Sequence, residues 1–186
     1  KESDNRPYYS NPATIPIAVE YIKNYFKNNP EATSFSLAVN DSGGYWETNP
    51  SHELYPNKIN SVGVQHMSEI YYKWVNDVVE GVIEEYPDKW FGLYAYQVVA
   101  DPPEFELHPQ VIPVITKDRL AWVDPGVEAQ GKAHLEAWNE KASQLGWYDY
   151  MISGAYPLPR VYPHLVGELY EYALDQNVKV HHWDMH

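Results

Sequence analysis

The order in which two periodicities alternate constrains this chain more than any other feature. Ile15, Val19, Ile22 and Phe26 recur at helical spacing behind Thr14, a residue able to cap, and predict a helix over Thr14–Asn28 that Pro30 ends. The run Phe35–Val39 then alternates as a strand does, with Phe35, Leu37 and Val39 on one face and the small residues Ser36 and Ala38, followed by Asn40, on the other. Ile70, Trp74, Val78, Val82 and Tyr86 form the stripe of a second helix, which the Pro87-Asp88 turn ends, and Phe91–Tyr96 reads as a second strand. Val111–Thr116, Trp147–Ser153 and Val178–Trp183 read as further strands. Helices over Val127–Leu145, with Leu135 and Trp138 inward, and over Leu165–Leu174 separate them. One stretch breaks the rhythm: Gln97–Gln110 holds three prolines and excludes a helix of any length, so one crossover helix is missing.

Strands alternating with helices at this spacing imply parallel βαβ units, which close into a barrel or make an open doubly wound sheet. No Gly-rich nucleotide loop follows any strand, so the barrel is preferred. Five strands do not close an eight-stranded barrel, and the usual barrel needs about 250 residues. The expectation is therefore a single α/β domain over residues 1–186, a partial (β/α)8 TIM-like barrel of about five parallel strands with outer helices. It would form the later part of a longer protein whose remainder supplies the missing strands.

Composition narrows the function. A formal net charge of −13 would repel phosphates and argues against nucleic acid. No apolar run is long enough to span a bilayer, and the amino end KESDNRPYYSNP lacks the apolar stretch of a signal peptide, so the chain is expected to be soluble. The absence of cysteine removes disulfides, thiolate catalysis and zinc-thiolate sites. Seven Trp, 17 Tyr and four Phe are first a packing resource and second the material of a sugar cleft, where flat rings meet the C–H faces of pyranoses.

The motifs FSLAVNDSGGYWE, VVEGVIEEYPDKW, FGLYAYQVVADPP, VIPVITKDRLAW and LEAWNEKASQLGWYDYMISGAYPLPR, in this order, resemble the bacterial domain-of-unknown-function family 4838 from about Phe35 onward. Asn40, Asp41, Gly43, Gly44 and Tyr45 match the family's stretch at a barrel strand end. Tyr86-Pro87-Asp88, Ala95-Tyr96 and Tyr148-Asp149-Tyr150 match later motifs, the last with Tyr in place of Trp. Where many members carry cysteines, Trp46, Thr48 and Ser51 stand here. The resemblance implies a TIM-like barrel similar in appearance to α-glucuronidases and β-hexosaminidases, a carbohydrate ligand, and a secreted, periplasmic or cell-surface setting in a polysaccharide-degrading bacterium. Two departures count against catalysis: Gly43 stands where related α-glucuronidases have an acid, and Ser153 stands where many retaining barrel glycosidases have a second glutamate.

A barrel places its site just beyond the carboxyl ends of its strands. Asp41 falls there, although Asp-Ser-Gly-Gly is also ordinary turn chemistry. Glycoside hydrolysis needs a second carboxyl group about 5 to 9 Å away. Asp184, just beyond the last strand, ranks first; next is Asp149, which can point into the barrel or be a structural acid paired with Lys or Arg. The loop acids Glu47 and Glu53 follow. Asn40, Tyr45, Tyr96, Gln97, Trp122, Tyr156, Arg160, His182 and Trp183 are the expected sugar contacts, with Trp122 as a stacking platform and Arg160 as a fork for a uronate. His182, Asp184 and His186 share one face of an extended strand and make a metal-dependent hydrolase the third reading. A glycoside hydrolase without cofactor comes first, and a non-catalytic glycan-binding module on the same barrel second.

Overall fold

The structure, a computed structural model, describes residues 7–39, 45–151 and 160–184. Among them the chain forms α1 (Thr14–Asn28), β1 (Ser34–Ser36), α2 (Ser68–Ile83), β2 (Trp90–Ala95), β3 (Val111–Thr116), α3 (Pro125–Asn139), β4 (Leu145–Tyr150), α4 (Pro163–Asp175) and β5 (Val178–Asp184). α1 and β3 have the expected bounds. α3 starts earlier than expected because Asp124 caps it, its carboxylate accepting from the amides of Gly126 and Val127, with Pro125 in the first turn. It also ends six residues before Leu145, the residue with which β4 begins. Thr14 does not cap α1; its hydroxyl donates to the Tyr8 and Asn11 carbonyls and accepts from the Trp74 indole.

The strands pair in chain order, β1-β2-β3-β4-β5, and every pair is parallel. A strand order that never reverses keeps the crossovers on one side, so the sheet curls into a half-barrel with its helices outside. Phe91, Leu93 and Ala95 of β2, Val111 and Ile115 of β3, and Leu145 and Trp147 of β4 face those helices and are buried. The alternate residues face the concave side. Pro113, which has no N–H for a ladder, precedes the first β3–β4 register pair, Val114↔Gly146. A bulge in β5 adds one residue opposite Leu145/Gly146, so Val178 and then His181 and Trp183 share the helix face, while Val180, His182 and Asp184 turn to the concave face.

The missing crossover helix is missing in the structure too. After β2 the chain makes a short 3-10 turn at Gln97–Val99 and runs extended to β3. Its backbone is satisfied by side chains instead. Tyr72 donates to the Val99 carbonyl, Trp138 to that of Ala100 and Ser68 to that of Asp101.

Behind β4 lies a buried ionic group. Arg119, in the turn Arg119–Val123 after β3, and Asp149 are each 1% exposed. The guanidinium donates to Asp149 Oδ2 at 2.9 Å and lies over the Trp147 ring at 4.1 Å; the Arg119 amide donates to Asp149 Oδ1 at 2.8 Å. His181 Nε2 is 2.9 Å from Oδ2. Burial lowers the Arg119 pKa, and Asp149 opposes that by charge and hydrogen bond. Asp149 therefore belongs to the helix face and does not point into the barrel: of the two placements open in the sequence, the structural acid paired with an arginine is the one adopted. Removing one member of such a pair leaves a buried charge uncompensated, so Asp149→Ala is expected to destabilise the fold by about 3 to 5 kcal/mol. Urea unfolding of the variant measures this, and a loss below about 1 kcal/mol would contradict the structural role.

Candidate functional site

On the concave face, β2 with the residue after it, and β4, each present two tyrosines at a spacing of two, Tyr94 and Tyr96, Tyr148 and Tyr150. The strand between them carries Val114 and Thr116, side chains small enough for rings from the outer strands to meet above it. Tyr94 and Tyr148 do so edge to face, with centroids 5.5 Å apart. Tyr148 meets Tyr150 at 5.3 Å, and His182 of β5 lies flat against it at 4.6 Å. The Tyr148 hydroxyl donates to Asp184 Oδ2 at 3.0 Å. Tyr94, Tyr96, Thr116, Tyr148, Tyr150 and Asp184, with Val39 from the segment after β1, line a cleft of about 340 Å³. Tyr94 is 39% and Tyr96 37% exposed, so the wall is open to a ligand.

A larger groove of about 550 Å³ lies along the edge of β1, lined by Ile17 and Tyr21 of α1 and by Phe35 and Leu37. It is apolar and holds no titratable side chain other than tyrosine. Among the described residues, phenol hydroxyls, Thr116 and the Asp184 carboxylate converge in the smaller cleft, which also sits at the carboxyl ends of the strands, and the candidate site is placed there.

The electrostatics of the wall centre on Tyr148. Burial, then the hydrogen bond and charge of Asp184, with Tyr150 and Tyr94 adding, push its phenol up to about 12. Asp184 is thus hydrogen-bonded as a carboxylate to a phenol that keeps its proton. Lys117 follows β3, where its amide donates to the Tyr148 carbonyl at 3.1 Å. Burial lowers its amine pKa, Asp101 raises it and Arg119 lowers it further, so its charged neighbours lie on the helix side.

The expected site residues scatter. Asp184, Tyr96 and His182 come together on the wall. Asn40, Asp41 and Tyr156 lie outside the described residues, as do His186, Gly43 and Ser153. Tyr45 is buried against Tyr9. Gln97 takes the left-handed region at φ 48°, and its carbonyl accepts from Asn60 at 2.6 Å, so it turns the chain away from β2. Trp122 is 6% exposed and packs against Trp147, Tyr172 and α3; a Cβ on Gly131 would stand 2.5 Å from its ring. It fills the core and offers no platform. Arg160 sets its fork on Asp118, at 3.0 and 2.7 Å, and on the Tyr150 carbonyl at 2.6 Å. Trp183, next to His182, faces the helices, where its indole donates to the Tyr170 hydroxyl at 2.8 Å; adjacent strand residues cannot both face the cleft. Of the loop acids, Glu47 is buried and accepts from the Ser10 amide at 2.8 Å. Among the described residues no three His, Asp or Glu side chains gather as a metal site.

Tyr94, Thr116, Tyr148 and Tyr150 complete the wall beyond the expected residues. The signal for them is the pair of alternating motifs Tyr94-Ala95-Tyr96 and Tyr148-Asp149-Tyr150, on strands that flank one ending in Thr116.

The profile of one protein family, described as Domain of unknown function (DUF4838), matches residues 1–184. No curated protein and no solved structure matches the chain.

The raised pKa gives the wall a titration signature. The folded state holds the Tyr148 proton after an unfolded tyrosine has lost it near pH 10, so this contribution to stability is present below pH 10 and is lost as pH rises toward about 12. Asp184→Asn removes the charge and weakens the hydrogen bond, and is expected to bring the phenol down toward 10. Carbon-13 tyrosine labelling with Tyr148→Phe as the assignment control follows it; an unchanged titration in Asp184→Asn would contradict the pairing.

Proposed function

We propose a carbohydrate-active role for this chain, which belongs to the DUF4838 family: its concave tyrosine wall binds sugar units, and the barrel it forms part of acts as a glycoside hydrolase. The observation that carries the reading is the wall itself, four tyrosines and Asp184 at the carboxyl ends of parallel strands. Tyrosine supplies an apolar ring for sugar C–H faces and a hydroxyl for sugar hydroxyls. Asp184 is the first carboxyl group. Asp41 follows Val39, a lining residue of the cleft, by two positions in the chain and is our choice for the second. Tyr96 and Asn40 orient hydroxyls. The setting that suits such a role is outside the bacterial cytoplasm, where polysaccharide is met.

The wall is one side of a larger site in this proposal. Among the described residues β1 and β5 each pair on one side only, and a parallel sheet normally has both faces covered. Apolar grooves flank both edges, the one beside β1 and a smaller one of about 230 Å³ between α4 and β5, lined by Tyr170, Leu174 and Val178. Further barrel strands from the remainder of the parent chain fit those edges and close the cleft.

A non-catalytic glycan-binding module is the second reading. Gly43 and Ser153 favour it, and so does Asp184, which already accepts from Tyr148. Turnover of aryl glycosides and oligosaccharides by the full-length protein, measured beside binding, separates the two. In the hydrolase reading Asp41→Asn and Asp184→Asn each lower kcat/KM by about 10²-fold or more with the melting temperature held. Binding without turnover leaves the module; neither binding nor turnover ends both.

A further inference from the structure

We propose that Asn60 is a positioning residue of the cleft, which holds Tyr96 at the rim through a strained turn at Gln97; this rests on the carbohydrate reading above, in which Tyr96 orients sugar hydroxyls. The first observation is that Tyr96 stands apart from the other three rings of the wall. Tyr94, Tyr148 and Tyr150 each belong to a register pair of the sheet, with Val114, with Thr116 and His182, and with Asp184. The pairing of β2 with β3 ends one residue before Tyr96, at Ala95↔Ile115. Tyr96 keeps the extended backbone of the strand, at φ −145° and ψ 147°, and its carbonyl accepts from the Val99 amide at 3.1 Å. What the ladder does for the other three rings, the turn that follows does for Tyr96.

The second observation is strain in that turn. Among the described residues two that are not glycine take a positive φ, Asn177 at 56° and Gln97 at 48°. Asn177 follows the end of α4, where Asn is a common left-handed residue. Gln97 has no such reason, because an L side chain crowds the backbone in this region and Gln lacks the short amide with which Asn bonds locally. Such a conformation persists where its surroundings over-determine it, and it clusters at sites that hold ligands. The surroundings do so here. The Gln97 carbonyl accepts from the Ala100 amide at 3.1 Å and from Asn60 Nδ2 at 2.6 Å. The next four carbonyls, from Val98 to Asp101, accept in turn from the Met67 amide, Tyr72, Trp138 and Ser68. Asn60 is the side chain that grips Gln97 itself. It is 7% exposed, and its Oδ1 accepts from the amides of Val62 and Val64 at 3.2 Å, so its own position is set by the turn it organises. Ser61 adds a second tie, its amide donating to Asp101 Oδ2 at 2.8 Å.

Ring carbon-13 spectra of the tyrosine-labelled full-length protein, with Tyr96→Phe as the assignment control and with titrations of cellohexaose, xylohexaose and chitohexaose, test the proposal. Asn60→Asp keeps the acceptor for Val62 and Val64 and removes the donor to Gln97. It is expected to move or broaden the Tyr96 resonance while those of Tyr94, Tyr148 and Tyr150 stay, and to weaken any hexamer that binds by about fivefold or more, the loss of one hydrogen-bonded contact. Adding Gln97→Gly to Asn60→Asp returns the resonance and brings the affinity within about twofold of the wild type, because glycine takes a positive φ without crowding; adding Gln97→Ala does not. In the otherwise unchanged protein Gln97→Gly melts above Gln97→Ala, the reverse of the order at an ordinary position, and this comparison stands whether or not Asn60→Asp folds. An unmoved Tyr96 resonance in folded Asn60→Asp, an equal rescue by Gln97→Ala, or a Gln97→Gly protein that melts below Gln97→Ala each overturns the proposal. So does a moved Tyr96 resonance with the affinity unchanged. If no hexamer binds the wild type, the carbohydrate reading falls, and the ring spectra still decide whether Asn60 sets Tyr96.

Discussion

Side-chain parity on a parallel sheet that has its helices on one side is the constraint from which this molecule follows. Each strand gives alternate residues to the helices, and those are Phe91, Leu93, Val111, Ile115, Leu145 and Trp147, all buried. Whatever stands between them is committed to the concave face. The tyrosine wall is thus the complement of the core, set by the same alternation. β5 obeys the rule only because its bulge inserts one residue, which carries Val178 and His181 to the same side and so turns Asp184 toward Tyr148.

The helix face pays for a polar exception with a closed network. Arg119 reaches behind β4 to Asp149 and His181, and Trp147 lies under the guanidinium. This network ties the turn after β3 to β4 and β5. The Arg160 pair with Asp118 does the same on the segment that follows β4, through the Tyr150 carbonyl. Both arginines therefore act as braces beneath the rim, and among the described residues the cleft is lined by phenols, Val39, Thr116 and the Asp184 carboxylate.

Much of the architecture is legible in the sequence because periodicity is local: α1 and β3 follow from apolar spacing alone, and the prolines of Gln97–Gln110 announce the absent crossover helix. The start of α3 is legible in Asp124-Pro125, a cap and first-turn signal outweighed by the apolar stripe from Val127. The site is less legible because facing is not local. Trp147-Tyr148-Asp149-Tyr150 alternates equally well with either parity, and the partner that draws Asp149 to the helices is Arg119, 30 residues earlier. Trp122 reads as a platform until Gly131, on the next helix, is seen to admit its ring. Attention to strand ends alone finds Tyr96 but passes over Tyr94 and Tyr148, which stand one layer deeper.

The central claim is that the concave tyrosines, and no other aromatic surface, receive the ligand. Ring carbon-13 resonances of tyrosine-labelled full-length protein, followed while an oligosaccharide is added, test it most directly. The account predicts saturable shifts confined to Tyr94, Tyr96, Tyr148 and Tyr150. Shifts centred on Tyr21 and Tyr25 of α1, with the four wall rings unmoved, would contradict it.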